Sequence, residues 1–181
     1  MIKIFAVLLI PLLLLCCTGK KSRLQKVIVS ADTSALYKKY NLDRIKLPAG
    51  FSISVYAEVP NARSITISPS GILYVGNRSE DKVYAVADEN KDGRADKVYI
   101  VASGLNTPNG VAFKNGHLYI ATISSILKIE NIEANLGAPQ KPKIVYDKFP
   151  KDKHHGWKFI AFGPDGKLYV PVGAPCNVCK N

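Results

Sequence analysis

Gly163-Pro164-Asp165-Gly166-Lys167-Leu168-Tyr169-Val170 is a tight turn running into a strand, and the chain carries the same pattern twice more. It stands earlier as Ser68-Pro69-Ser70-Gly71-Ile72-Leu73-Tyr74-Val75 and as Lys114-Asn115-Gly116-His117-Leu118-Tyr119-Ile120. Gly, Pro, Asn and Asp set the turns, and the β-branched and aromatic residues beside them favour strands. Tyr74, Tyr119 and Tyr169 recur at intervals of 45 and 50 residues. Strand–turn–strand units at that period predict an all-β fold of the β-propeller type, with four strands to a blade.

Ahead of each turn lies a short strand: Arg63-Ser64-Ile65-Thr66-Ile67, Asn109-Gly110-Val111-Ala112-Phe113 and Lys158-Phe159-Ile160-Ala161-Phe162. Overlaid, Ile65, Val111 and Ile160 coincide, as do Ile67, Phe113 and Phe162 two residues on, hence on one sheet face. The small Thr66, Ala112 and Ala161 between them suit a crowded neighbouring blade. In a propeller this strand is the innermost. The overlay therefore expects its polar first residues, Arg63, Asn109 and Lys158, to ring the channel mouth together with the His154-His155 loop.

Outward from the repeats, Leu47-Pro48-Ala49-Gly50 is a turn signal, and Phe51, Ile53 and Val55 alternate as in a strand. Residues 47–181 then form a partial propeller of about three blades, where propellers have 4–8. The expectation is a piece of a longer protein. Residues 18–46 read as a tether, with a short helix ending near Tyr40 and capped by Asp32 or Ser34. Lys3 precedes an apolar run from Ile4 to Leu15. That run falls short of the roughly 20 residues of a membrane span and suits a signal peptide. Leu14-Leu15-Cys16-Cys17 resembles a bacterial lipobox with Cys17 as the acylated residue, so residues 1–17 read as a lipoprotein signal peptide, or else as an ordinary cleaved signal. Both imply export to the periplasm or cell surface, the first with a lipid anchor in the membrane.

The 181 residues carry 25 Lys and Arg against 14 Asp and Glu. Such a surface suits anionic partners, but no nucleic-acid recognition module appears. Cys176 and Cys179 supply half of a four-thiolate metal site at most, or a redox pair, a structural disulfide or two plain thiols. His154 and His155 offer a general base or a metal ligand at neutral pH; the bland alternative is a surface loop. His117, in the turn opposite the channel mouth, reads as structural. Asp88, Asn90, Asp92 and Asp96 alternate around Gly93 like the first half of a calcium loop, with Tyr99 where the bidentate Glu would stand. A solvated hairpin between strands 83–86 and 98–101 is the other reading. Asn109 follows Pro108 at the channel mouth, as a ligand contact or a turn residue. Trp157, the single tryptophan, would stack on a planar ligand or pack within a blade.

The segment HHGWKFIAFGPDGKLYVPVGAPCN, from His154 to Asn177, resembles the sorbosone dehydrogenase family, itself similar to the soluble aldose sugar dehydrogenases that use pyrroloquinoline quinone. LPAGFSISVYAEV, DENKDGRADKV and GLNTPNGVAF resemble that family at matching places. The resemblance implies a six-bladed propeller, the quinone and calcium as cofactors, a sugar or sugar-aldehyde substrate, and a cytochrome or quinone as electron acceptor. It makes His155, eight residues before Gly163, the catalytic base. The quinone bears three carboxylates, and the overlay offers Arg63 and Lys158 to them, with Asn109 and Trp157 as further contacts. One departure stands out: Ala174 occupies the place where the sugar dehydrogenases carry an aspartate that supports the histidine. Two other readings compete, a calcium-dependent lactonase-type hydrolase and a non-catalytic surface-binding propeller.

Overall fold

A computed structural model describes residues 28–29 and 33–178. The signal peptide, Cys16, Cys17 and Cys179 lie outside that range. The chain is all-β, built from three antiparallel sheets. The first sheet holds β1 (Ile28–Val29), β2 (Ala62–Ile67), β3 (Leu73–Asn77), β4 (Val83–Ala87) and β5 (Lys97–Ala102), in the order β1-β5-β4-β3-β2. The second is a meander of β6 (Gly110–Lys114), β7 (His117–Ala121), β8 (Ile126–Ile129) and β9 (Lys143–Tyr146). The third is the hairpin of β10 (Ala161–Phe162) and β11 (Leu168–Tyr169). None of the three closes on itself among the described residues.

The repeat seen in the sequence is a repeat of register. Thr66 pairs with Tyr74, Ala112 with Tyr119 and Ala161 with Tyr169. Ile67 pairs with Leu73, Phe113 with Leu118 and Phe162 with Leu168. The turns explain why the pairing is held. Asn115 and Gly116 both have positive φ (50° and 78°), the two-residue hairpin turn whose twist matches its strands. The first and third turns share another closure: Ser68 N–H donates to Ile72 O at 3.0 Å and Gly163 N–H to Lys167 O at 2.9 Å.

Alternation along the strands sends residues to opposite faces, and the faces stack. Tyr74, Val83, Ala85 and Val101 of the first sheet meet Val111, Leu118, Ile120 and Leu127 of the second. On the far side of the second sheet, Ala112, Ala121 and Ile126 meet Ile160, Phe162 and Leu168. Leu118 and Ile120 are fully buried, worth about 1.5–3 kcal/mol each. On the outer face of the first sheet, Val75, Val86 and Val98 are covered in part by Tyr56, Ala57 and Val59.

Residues 51–59 form no strand. The alternation of Phe51, Ile53 and Val55 promised one, but the segment runs across a sheet face instead of pairing along an edge. The stretch before it is α1 (Thr33–Lys39) and a 3₁₀ turn (Leu42–Arg44), which bury Leu36 and Leu42. Lys39 Nζ and Tyr40 Oη both bond Glu58. No helix among the described residues is long and apolar enough to cross a membrane.

Candidate active site

Two glycines let the three units come together. A Cβ on Gly76 would stand 2.2 Å from Asn109 O, and one on Gly110 would stand 2.3 Å from Lys158 O. With no side chain at either place, β6 packs against β2 and β3, and β10 packs against β6. Hydrogen bonds then cross from unit to unit. Ser64 Oγ donates to Asn109 O, and Asn109 Nδ2 donates to Lys158 O at 2.9 Å.

At the starts of these strands opens a cleft of about 540 Å³, lined by Arg63, Ser64, Ile65, Asn109, Trp157, Phe159 and Pro171. A bulge in β2 between Ala62 and Ile65 re-aims Arg63 and Ser64 at its rim. No carboxylate belongs to the lining. Asn109 is only 4% exposed, and its Oδ1 has no hydrogen-bond partner. Its Nδ2 is committed to Lys158 O, so Oδ1 is an acceptor left over beside the cleft.

The histidine loop is built beside Trp157. The Arg78 guanidinium lies 4.0 Å from the Trp157 ring centre, and the His155 ring stacks on Trp157 at 6.1 Å and 26°. His154 meets His155 edge-on at 4.0 Å. His155 adopts a left-handed backbone, φ 54°, unusual for a residue with a Cβ. Gly173 holds it there, since a Cβ on Gly173 would stand 2.4 Å from His155 O. His155 Nε2 is buried and has no hydrogen-bond partner. Ala174 is exposed and brings no carboxylate to it.

The structure therefore brings Arg63, Asn109 and Trp157 together and sets His155 against Trp157. It separates Lys158 from them, which corrects the expectation from the overlay. Lys158 is 2% exposed and on the same side of its strand as Ile160, inside the packing. Its Nζ donates to Ile123 O and, at 2.8 Å, to Gly156 O, and lies 5.2 Å from the Phe149 ring centre. Burial pushes its pKa below the usual lysine value. Lys158 pins the histidine loop and does not reach the cleft.

The Asp88–Asp96 loop is also corrected. Asp88 accepts from Asp92 and Gly93 N–H, Asn90 from Asp92 N–H, Asp92 from Arg94 N–H, and Asp96 from Glu89 and Asn90 N–H. Its oxygens cap backbone donors, and no group of three or more His, Cys, Asp or Glu among the described residues could hold a metal ion. His117 Nδ1 accepts from Asn131 N–H at 3.1 Å, a structural role. Cys176 is disulfide-bonded. Arg78 and Gly173 escaped the sequence reading. The repeat carries no signal for Arg78, whereas the glycine closing Val170-Pro171-Val172-Gly173 was open to inspection.

Two similarities to known proteins are distant. The chain is 22% identical, over 146 residues, to an uncharacterised protein of Borreliella burgdorferi, covering 74% of this chain and 37% of that protein. Among solved structures it is similar to the PQQ-bound form of aldose sugar dehydrogenase (Adh) from Streptomyces coelicolor, with a TM-score of 0.47 and 20% identity. That likeness covers 64% of this chain and 39% of the other. The chain thus spans about two fifths of the length of each of these two proteins. Residues 38–180 match a defined family across most of the described fold, and the chain belongs to that family, the domain of unknown function DUF7133.

Proposed function

We propose that the chain is part of a β-propeller whose cleft serves an exported oxidoreductase, one that oxidises an aldose sugar or a sugar aldehyde such as sorbosone with pyrroloquinoline quinone. The observation that carries the reading is a cleft that offers arginine and aromatic side chains and no carboxylate, with His155 behind its Trp157 wall, its buried Nε2 without a hydrogen-bond partner. The sequence resemblance around His154 to Asn177 points the same way.

The cleft residues fit a planar anion. Phe159 offers a ring for stacking beside Trp157, whose own ring carries Arg78 and His155, and Arg63 offers a fork of donors to a carboxylate. The unpartnered Oδ1 of Asn109 awaits a donor, which an N–H of such a ligand supplies. When bound, the quinone supplies a two-electron acceptor that no side chain can replace. The chain's own task is to place and deprotonate the substrate. His155 Nε2 accepts the proton of the sugar hydroxyl as the adjacent carbon gives up hydride. Nε2 is covered here, so the substrate hydroxyl displaces part of that cover when it binds. Without a carboxylate behind it, His155 is oriented by the Trp157 ring and by Gly173 instead. The Asp88–Asp96 loop does not fit calcium, and no step is assigned to a metal. A lactonase-type hydrolase needs an acidic residue at the channel mouth, which the cleft lacks. The reading includes export, a lipid anchor at Cys17, and a cytochrome or quinone that reoxidises the cofactor.

Trp157 is the chain's single tryptophan, so its fluorescence reports directly on the cleft. Titrating the full chain with the quinone should quench it saturably. Arg63→Ala should weaken binding about tenfold, the size of one charge-assisted hydrogen bond. His155→Ala should keep the binding and abolish dye reduction with aldoses and sorbosone. Absence of quenching, or full activity in the His155 variant, would sink the reading.

A further inference from the structure

Arg78 follows directly on β3, and the turn that carries it is fixed from below. Asn77, the last residue of β3, is fully buried. Its Nδ2 donates to Pro60 O at 2.7 Å, and its Oδ1 accepts from Ser79 N–H at 3.0 Å and from Glu80 N–H at 2.7 Å. Its backbone N–H donates to Pro108 O at 2.9 Å, in the second unit. Residues 77–80 are thereby closed into an Asx-type turn on a buried anchor.

That turn presents an exposed cation with no acidic partner. Among the described residues no carboxylate lies within ion-pair distance of Arg78. Glu80, two residues on, is engaged by Asn61 Nδ2 at 3.0 Å and by Tyr84 Oη at 3.4 Å. The contact Arg78 makes is with Trp157, its guanidinium 4.0 Å from the ring centre, well inside the reach of about 6 Å for a cation over an aromatic face. Trp157 is in turn the ring on which His155 stacks, and His155 Nε2 has no hydrogen bond to fix its direction. Four residues thus form one chain of contacts, Asn77 to Arg78 to Trp157 to His155, running from the first unit to the loop before the third.

We propose that Arg78 is a positioning residue: it holds the plane of Trp157, and through that plane the ring of His155. The proposal rests on the reading of His155 as the base. A base must aim its acceptor nitrogen at the proton it removes. Where a hydrogen-bonded carboxylate would orient an imidazole, this chain has Ala174 and uses a stack. Arg78 does not line the cleft, so it touches neither the quinone nor the sugar and acts only through Trp157. Its rigid seat on Asn77 is what makes an exposed arginine fit for this, because a freely rotating side chain would lose more rotamer freedom on stacking.

The test compares the full wild-type chain with Arg78→Ala and with Arg78→Gln, which keeps length and loses charge. Arg78 is exposed, so neither change leaves a buried group unpaired, and circular dichroism confirms folding. The first readout needs no catalysis. Trp157 is the single tryptophan, so its indole NMR signals are unambiguous, and their NOEs to the His155 ring, identified by their loss in His155→Gln, report the stack. Wild type should show them, and both Arg78 variants should lose at least half their intensity. The second readout is kinetic. In both variants kcat should fall about tenfold, as for a slightly misplaced base, with KM for the sugar and affinity for the quinone unchanged, since only the transition state loses an interaction. Wild-type NOEs in either variant overturn the proposal, as does a wild-type kcat in a variant of an active chain. If the wild-type chain neither binds quinone nor turns over, the oxidoreductase reading falls, and the NOEs alone decide whether Arg78 sets the His155 ring.

Discussion

Burying an ammonium with no carboxylate beside it costs several kcal/mol, and Lys158 offsets this with two carbonyls and the face of Phe149. Those carbonyls belong to Ile123 and Gly156, so one side chain ties the β7–β8 connection to the histidine loop. Lys158→Met would leave both carbonyls unpaired, and stability should fall by about 1–3 kcal/mol, measured by denaturant titration. The pH dependence has a definite sign. Burial lowers the folded pKa of Lys158 below 10.5. Between the folded and unfolded values the unfolded chain holds more protons, so folding gains as pH rises through that window. The gap between wild type and the Met variant should therefore widen toward pH 10.5. The position of Lys158 was half legible in the sequence. The overlay placed it opposite Arg63 and Asn109, yet the same overlay put it two residues from Ile160, on the packed side. Arg63 stays exposed beside Ile65, itself 54% exposed, where a β-bulge lies at the start of their strand.

Among the elements, the β8–β9 pair shows how an exposed edge is held. All four residues of β9 are exposed. Register sets Lys128 directly opposite Lys143, a like-charge pair that destabilises a sheet. Glu130 resolves it by binding both, Lys128 at 2.8 Å and Lys143 more closely. The two ammonium groups hold the Glu130 carboxyl well down, at about 2. A carboxylate with a lowered folded pKa stabilises the fold above its unfolded value of about 4.3, and the effect is lost as pH falls toward 2. Glu130→Gln should lower Tm by a few degrees at pH 7, and the difference should vanish by pH 2 in thermal melts. Charge on β9 also keeps a bare edge from pairing with other chains. At this scale the sequence was most readable where turn chemistry and alternation agreed, as around Asn115-Gly116. Residues 51–59 show the opposite case, since alternation names a face but not a hydrogen-bonding partner.

For the whole molecule, the stacking of units was legible because small residues recur where backbones meet. Ala112 sits at such an approach, packed with Ile160 of the next unit, and Gly76 and Gly110 complete it, whereas Ala161, the third small residue of the overlay, is exposed. The cleft was less legible, since its walls come from residues about 45 positions apart whose orientations depend on local bulges and loops. The hydrogen bonds from Ser64 to Asn109 and from Asn109 to Lys158 each start in one unit and finish in the next. Their consequence is kinetic. Amides at the three strand starts should open together as one cooperative block, at a higher free energy than any single loop. Asn109→Ala cuts the second link, and hydrogen exchange by mass spectrometry should then quicken across residues 158–169 as a group while β3 and β4 stay protected. Exchange confined to residue 109 would show that the units open separately. A cleft wired across three units forms only when all three are folded, so a ligand held there would clamp the three units together.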